Sequence, residues 1–378
     1  MKNSEEKMVS CGGLDEKRRK SDNPKIVYSE PLDYFPKEIR QTYQLGEFAE
    51  SPLLIKIKSV MLGHAVGDAL GVPVEGCSRK VLDEYPVVEM AGYGAYPVPA
   101  GSWSDDTSMS LAALDSLAKG KVVYHDIMGN FQSWRYQGKY TPTGKMFDIG
   151  GTCREVIDQV TKEYHWEVER GFWNPDRFDA EVNCGLDDEY SNGNGSLMRI
   201  HPFVLYAYAK NLPFEEWMDI IEKASSLTHR HKCSRIGCLI YSFVLMHLLH
   251  DPTKGGLKNA LARAECHLRD RFEFSRYTRI FTPSFADLPR EQIKSSAYIV
   301  DTLEAALWCV LNTDSYQECV LKAVNLGQDT DTVAAVAGGL AGALYGYESI
   351  PSEWLNTLRK REYIEEICEE ANKNWEGP

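Results

Sequence analysis

The 378-residue chain carries 55 Asp and Glu against 42 Lys and Arg, a formal net charge of −13 with His neutral. A nucleic-acid surface would need a basic face to offset that charge, and the one basic cluster, Lys17-Arg18-Arg19-Lys20, lies in a polar tail beside Asp15 and Glu16 and reads as a solvated charge run. Ten cysteines without a CxxC pair, several set among apolar residues, read as reduced core cysteines rather than a disulfide framework.

In chain order, residues 1–24 are polar and charged and lack the apolar core of a signal peptide. Residues 25–50 add Tyr28, Tyr34, Phe35 and Tyr43, broken by Pro31 and Pro36. The expectation is an N-terminal extension over 1–50, partly disordered or partner-docking, ahead of one large domain over 51–378. The longest apolar run, 333–344, is too short and glycine-rich to span a bilayer, so the chain is expected to be cytoplasmic, with no membrane partner.

From Leu53 a helical period takes over, and Gly63, Gly67 and Gly71 recur every four residues, a smooth strip for close helix packing. Pro73 ends that helix and places Glu75 beyond it. A Tyr-, Pro- and Gly-rich loop over 83–100 leads into a second apolar helix. Asp148 precedes the glycine pair Gly150-Gly151 and a further helix. Residues 161–190, acidic and bearing Trp166 and Trp173, read as an inserted loop. The glycines of Ser191-Asn192-Gly193-Asn194-Gly195 let backbone N–H groups approach a ligand. Leu227-Thr228-His229 precedes an apolar helix, 251–293 reads as charged and irregular, and the helical period returns over 295–308. His229, His231, Cys233 and Cys238 lack a regular zinc spacing. Gly338, Gly342 and Gly346 read as close packing within a soluble fold. With no alternating β-branched runs, the fold class is all-α, with ten or more helices.

Two stretches carry the chemistry. Asp329-Thr330-Asp331-Thr332 opens a helix of small and apolar residues, and Ser104-Asp105-Asp106-Thr107 opens another. Paired acids on a buried first turn repel one another unless a cation sits between them. If the two helix starts face each other, Ser104, Asp105, Asp106, Asp329, Asp331 and Thr332 form an all-oxygen cage suited to hard divalent cations, with carboxylates enough for two. Either cluster alone reads equally well as a helix cap.

Together, GDALGxPxE (67–75), WSDDTSM (103–109), FDIG (147–150), GNGSLMR (193–199), LTH (227–229) and NLGQDTDT (325–332) resemble the ADP-ribosylglycohydrolases, with the closer likeness to the dinitrogenase reductase-activating branch. The resemblance implies an all-α orthogonal multi-helix bundle, two Mg2+ (or Mn2+) ions, and removal of ADP-ribose from modified protein side chains, commonly arginine. It places Ser104, Asp105, Asp106, Asp329, Asp331 and Thr332 at metal-ligand positions. Glu75 matches an acid reaching the metal centre and Asp148 an acid close to the scissile ribose, which makes these two the catalytic candidates. Ser191 and Asn194 match the loop holding ADP-ribose, His229 a ribose-facing histidine, and Tyr298 an aromatic position near the substrate. Ser104 stands where many relatives have Thr, and Gly151 where they often have Asn. The implied partners are an ADP-ribosylated protein and, as in relatives that neutralise toxins, a cognate ADP-ribosyltransferase met by the N-terminal extension. An immunity-type binding role and a different ADP-ribosyl linkage, to serine or a nucleobase, stay open.

Overall fold

A computed structural model describes residues 50–376, Phe272 excepted. The described residues hold fifteen α-helices and short 3-10 turns. The first eight are α1 (Pro52–Gly71), α2 (Arg79–Glu84), α3 (Asp105–Leu117), α4 (Tyr124–Gln137), α5 (Gly151–Glu169), α6 (Pro175–Glu181), α7 (His201–Ala209) and α8 (Phe214–Ser226). There follow α9 (Lys232–His250), α10 (Lys254–Leu268), α11 (Ile299–Leu311), α12 (Tyr316–Val324), α13 (Thr330–Tyr345), α14 (Ser352–Thr357) and α15 (Arg361–Trp375). Among these residues there is no strand, only isolated bridges at Leu186–His229 and Gly193–Tyr298. The expected all-α class is the observed one.

The seam between α1 and α13 positions everything else. Ser51 starts α1 by accepting from the Leu54 amide at 3.0 Å, with Pro52 pre-set for the first turn. From Ile57 to Gly71 every residue of α1 is buried, as is nearly all of α13. The two helices meet backbone to backbone. A Cβ added at Gly67 would lie 2.1 Å from the Ala334 carbonyl, and one at Gly71 2.3 Å from the Asp331 backbone. Reciprocally, Gly338 faces the Gly63 carbonyl and Gly342 the Ser59 carbonyl. Gly346 is not part of that strip. A Cβ there would meet nothing within 4 Å, and its φ of +83° ends α13 instead. Because Gly71 presses on Asp331, the first turn of α13 sits where α1 stops.

Around this seam, α7, α8, α10, α11 and α13 pack on α9. That helix is long and apolar enough to cross a membrane, at mean hydropathy 1.3, but 89% of its apolar window is buried inside the protein, so its length serves the core.

Two sequence expectations are corrected. Residues 161–190 are not an inserted loop: the helix that begins at Gly151 runs on to Glu169, and α6 follows. Nothing between Thr161 and Glu169 breaks a helix, and the missing period reflects the absence of buried side chains there. Within 251–293, α10 starts after Thr253, which accepts from the Gly256 amide at 2.9 Å, and buries Leu257, Ala260, Ala264 and Leu268. A 3-10 segment, Phe274–Phe281, then buries Phe274, Tyr277 and Ile280. Apart from Glu50, which pairs with Lys58 at 2.7 Å, the extension expected at 1–50 lies outside the described residues.

Gly67→Ala is expected to lower stability by about 3 kcal/mol or more, because one of two buried backbones must move. Gly129→Ala in α4, where a Cβ meets nothing within 4 Å, should instead gain up to about 1 kcal/mol of helix propensity. Chemical denaturation of both variants measures the contrast.

Candidate active site

The site forms where the starts of α3 and α13 face each other. Asp68, buried in the body of α1, accepts from the Ser104 amide at 2.9 Å and from the Thr107 amide and hydroxyl at 3.1 and 2.6 Å. It therefore caps α3 from another helix and fixes that helix's first turn. Ser104 Oγ donates to Asp106 Oδ2 at 3.1 Å, and Thr332 Oγ1 of α13 donates to the same oxygen at 3.3 Å. Asp106 is thus the junction of the two helix starts. Asp68 was missed in the sequence reading. The available signal was an acid in a run of small and apolar residues with no cation beside it.

Carboxylates crowd this junction. Glu75, Asp329 and Asp331 each offer an oxygen within 4.8 Å of the other two. Asp329 Oδ2 accepts from Asn194 Nδ2 at 2.5 Å, and Asp105 Oδ2 from the Gly150 amide at 3.1 Å, which brings the Asp148 loop to the cage. Burial, then the neighbouring carboxylates, pushes Asp105, Asp106 and Asp331 well above the ordinary range. Glu75 is pushed up to about 7 by burial and by Asp148, and Asp68 to about 6 by burial against its hydrogen bonds. Asp106 Oδ1 and Glu75 Oε2 are buried without a hydrogen-bond partner. Orphaned acid oxygens among mutually repelling carboxylates are the donor set of a hard divalent cation, so the residues present fit such an ion.

Tyr96, from the loop after α2, was also unforeseen. Its hydroxyl reaches both Glu75 and Asp148, and its ring lies 5.0 Å from that of Phe147. Among three tyrosines in that loop the sequence offers no signal to choose it.

The other margin is the 191–195 turn. Asn194 Nδ2 also donates to Thr302 Oγ1 at 2.9 Å, so one amide joins the turn, α11 and the acid cage. The Ser191 hydroxyl donates to Asp188 Oδ2 at 2.6 Å. His229 lies against the turn, since a Cβ at Gly195 would come 3.0 Å from its Cε1 and 2.8 Å from Cys153 Sγ. Arg199, fully buried, donates to Thr228 Oγ1 at 2.8 Å, and that oxygen is 2.7 Å from His229 Nδ1. With Nδ1 engaged by Thr228, Nε2 is the ring nitrogen on the Gly193 side, 3.6 Å from where a Cβ on that glycine would lie. Burial and Arg199 hold His229 neutral, down at about 3. Tyr298 is half-buried, its hydroxyl 3.2 Å from Arg276 and 3.6 Å from Cys233 Sγ. His231 caps α9 and Cys238 faces Ser196, so the histidines and cysteines here serve separate partners. A Cβ at Gly151 would meet nothing within 4 Å.

The sequence model of the ADP-ribosylglycohydrolase family matches residues 50–378, and the chain belongs to that family. It is similar to the ADP-ribosylarginine hydrolase Tri1 of Serratia proteamaculans, 31% identical over 85% of this chain and 80% of the relative. The Tri1 protein of Pseudomonas putida is 33% identical over 84% and 78%. The ADP-ribosyl-[dinitrogen reductase] glycohydrolase of Rhodospirillum rubrum is 33% identical over 79% and 88%. A solved ADP-ribosylglycohydrolase-related protein complex superposes at a TM-score of 0.66, with 30% identity, over 86% of this chain and 99% of the other.

In the metal-free protein the raised carboxylates take up protons on folding, so their stabilisation is present at low pH and lost as pH rises through their folded values. The buried neutral histidines, among them His64 and His229 at about 3 and His201, held well below its ordinary value by burial, act in the opposite sense, but only below about pH 6.5. Chelator-treated protein should therefore lose melting temperature between about pH 6.5 and 8, and added Mg2+ should restore more of it at the upper end. A flat profile in EDTA contradicts this account of the cage.

Proposed function

We propose that the protein hydrolyses the bond between ADP-ribose and the guanidinium of a modified arginine in a protein substrate. The observation that carries this reading is the group of Glu75, Asp329 and Asp331 beside Asp148, in a chain about one-third identical to ADP-ribosylarginine hydrolases over most of its length. Two Mg2+ ions, or Mn2+ in their place, would be held by Ser104, Asp105, Asp106, Asp329, Asp331 and Thr332, with Glu75 reaching the same centre. Bound there, such ions supply Lewis acidity and orient the ribose hydroxyls.

The chain's own residues do the rest. His229 presents Nε2 to the ribose, and Asn194 holds the turn against Asp329. Cleavage breaks the C1″–N bond with oxocarbenium character, which the surrounding carboxylates stabilise. The C1″–N electron pair stays with the guanidinium nitrogen, so arginine leaves as the neutral guanidine and takes a proton from solvent, while the water oxygen bonds to C1″ and its proton passes to Asp148. Tyr96 keeps Asp148 and Glu75 in register. The alternative role for Glu75, as the acid that protonates the leaving group, separates from this one by metal content.

Asp331→Asn is expected to abolish turnover and weaken Mg2+ binding with the fold retained. Asp148→Ala should keep the metal and lose about 100-fold or more in kcat, the scale of a lost general base. Metal content beside kcat on ADP-ribosylarginine checks both. Full activity of Asp331→Asn with undiminished metal would remove the cage from the mechanism, and faster release from serine or a nucleobase would reassign the linkage.

The modified protein is, on this reading, the product of a cognate ADP-ribosyltransferase toxin, with residues 1–50 docking on that transferase. Support comes from the aromatic and proline-bearing make-up of 25–50. Truncation that leaves transferase binding unchanged reduces the segment to a tail. The nine described cysteines are all free, in keeping with a cytoplasmic site of action.

A further inference from the structure

Residues 151–190 run from one margin of the site to the other. They begin beside Gly150, whose amide holds Asp105, and end at Tyr190, next to Ser191. The first half of α5 buries Cys153, Val156, Ile157 and Val160, but between 161 and 169 no side chain is buried, and α6 buries none. The outer part of α5 is therefore a ridge about 13 Å long standing off the core, at 1.5 Å per residue.

The ridge is faced with aromatic rings. Tyr164 and Trp173 meet edge to face at 4.9 Å, Trp166 and Phe172 lie 5.9 Å apart, and Arg177 pairs with Glu167 at 2.7 Å to tie α6 back to α5. The rings stay open: Trp166 is 50% exposed, Phe172 60% and Tyr190 97%. Large rings that bury so little contribute little to folding, and they are the anchors that protein interfaces use. The same forty residues hold eleven Asp and Glu against four Lys and Arg, a net of −7 out of the chain's −13. Although Arg170 stacks on the Trp166 ring at 4.6 Å, the surface around these aromatic anchors is predominantly acidic and favours a partner of the opposite sign.

We propose that this ridge docks the protein bearing the ADP-ribosyl group and selects substrates whose surface around the modified arginine is basic. The inference rests on the hydrolase reading above and names the substrate class of that same site. A partner lying along α5 has its modified arginine at the Gly150–Ser191 margin while neighbouring Lys and Arg meet Glu155, Glu163 and Glu169.

The test compares three substrates: free ADP-ribosylarginine, core histones ADP-ribosylated on arginine, and serum albumin carrying the same modification. The variants are Trp166→Ala/Phe172→Ala and, since that pair could loosen the ridge, Glu163→Lys/Glu169→Lys on the exposed face. Both are expected to raise KM for the histone substrate about 10-fold or more, on the scale of a lost interface anchor, and to leave free ADP-ribosylarginine unchanged. The intact enzyme should prefer histone to albumin, and that preference should shrink as salt rises, with the Debye length falling from about 8 Å. Equal effects on all three substrates, or no effect on any, overturn the ridge as a docking surface. Failure of the intact enzyme to cleave free ADP-ribosylarginine overturns the hydrolase reading itself.

Discussion

Like charges buried together are the constraint on which this molecule turns. Asp68, Asp105, Asp106, Asp329 and Asp331 lie within one small region, each raised in pKa by burial. Such a cluster is unstable unless something outside it holds it in place. Here that is a set of hydrogen bonds: first-turn amides of α3 that donate to Asp68 on a different helix, and hydroxyls of Ser104 and Thr332 that share one oxygen of Asp106. The helix starts bring partial positive charge toward the acids, which is why acids sit on buried first turns at all.

The cage was legible before any coordinates because its residues break a local pattern. Asp329 and Asp331 stand out against Val333, Ala334 and Ala335, and the glycine strip of α1 announces a close neighbour. What the chain did not disclose was which residues hold the acids. Asp68 meets its amides 36 positions away, and Tyr96 reaches Glu75 from a loop whose path follows no period. The Arg199–Thr228–His229 chain likewise joins residues whose roles appear only when a guanidinium is buried beside a hydroxyl.

The misread stretches share a cause. Apolar period reports burial, and helicity only by way of burial. The outer half of α5 is a helix with nothing to bury, so it carries no period. In α10 only Leu257 and Leu268, eleven positions apart, are large apolar residues of the buried stripe; Gly256, Ala260 and Ala264 add little to an apolar pattern set among Lys254, Lys258, Arg263 and Glu265. Glu75 is a subtler case. Its place beyond Pro73 was foreseen, yet only the distances to Asp329 and Asp331 put it among oxygens that a single ion could touch.

The seam of α1 and α13 also sets how the enzyme can breathe. Its two walls touch through carbonyls and Cα atoms, without side chains that could swing aside. Local opening draws on loosely packed surface segments, and amides inside such a seam exchange only when the whole domain comes apart. The inner wall of the cage therefore behaves as part of the most protected unit of the protein. Rigidity at the back of the cage is thus one consequence of five glycines.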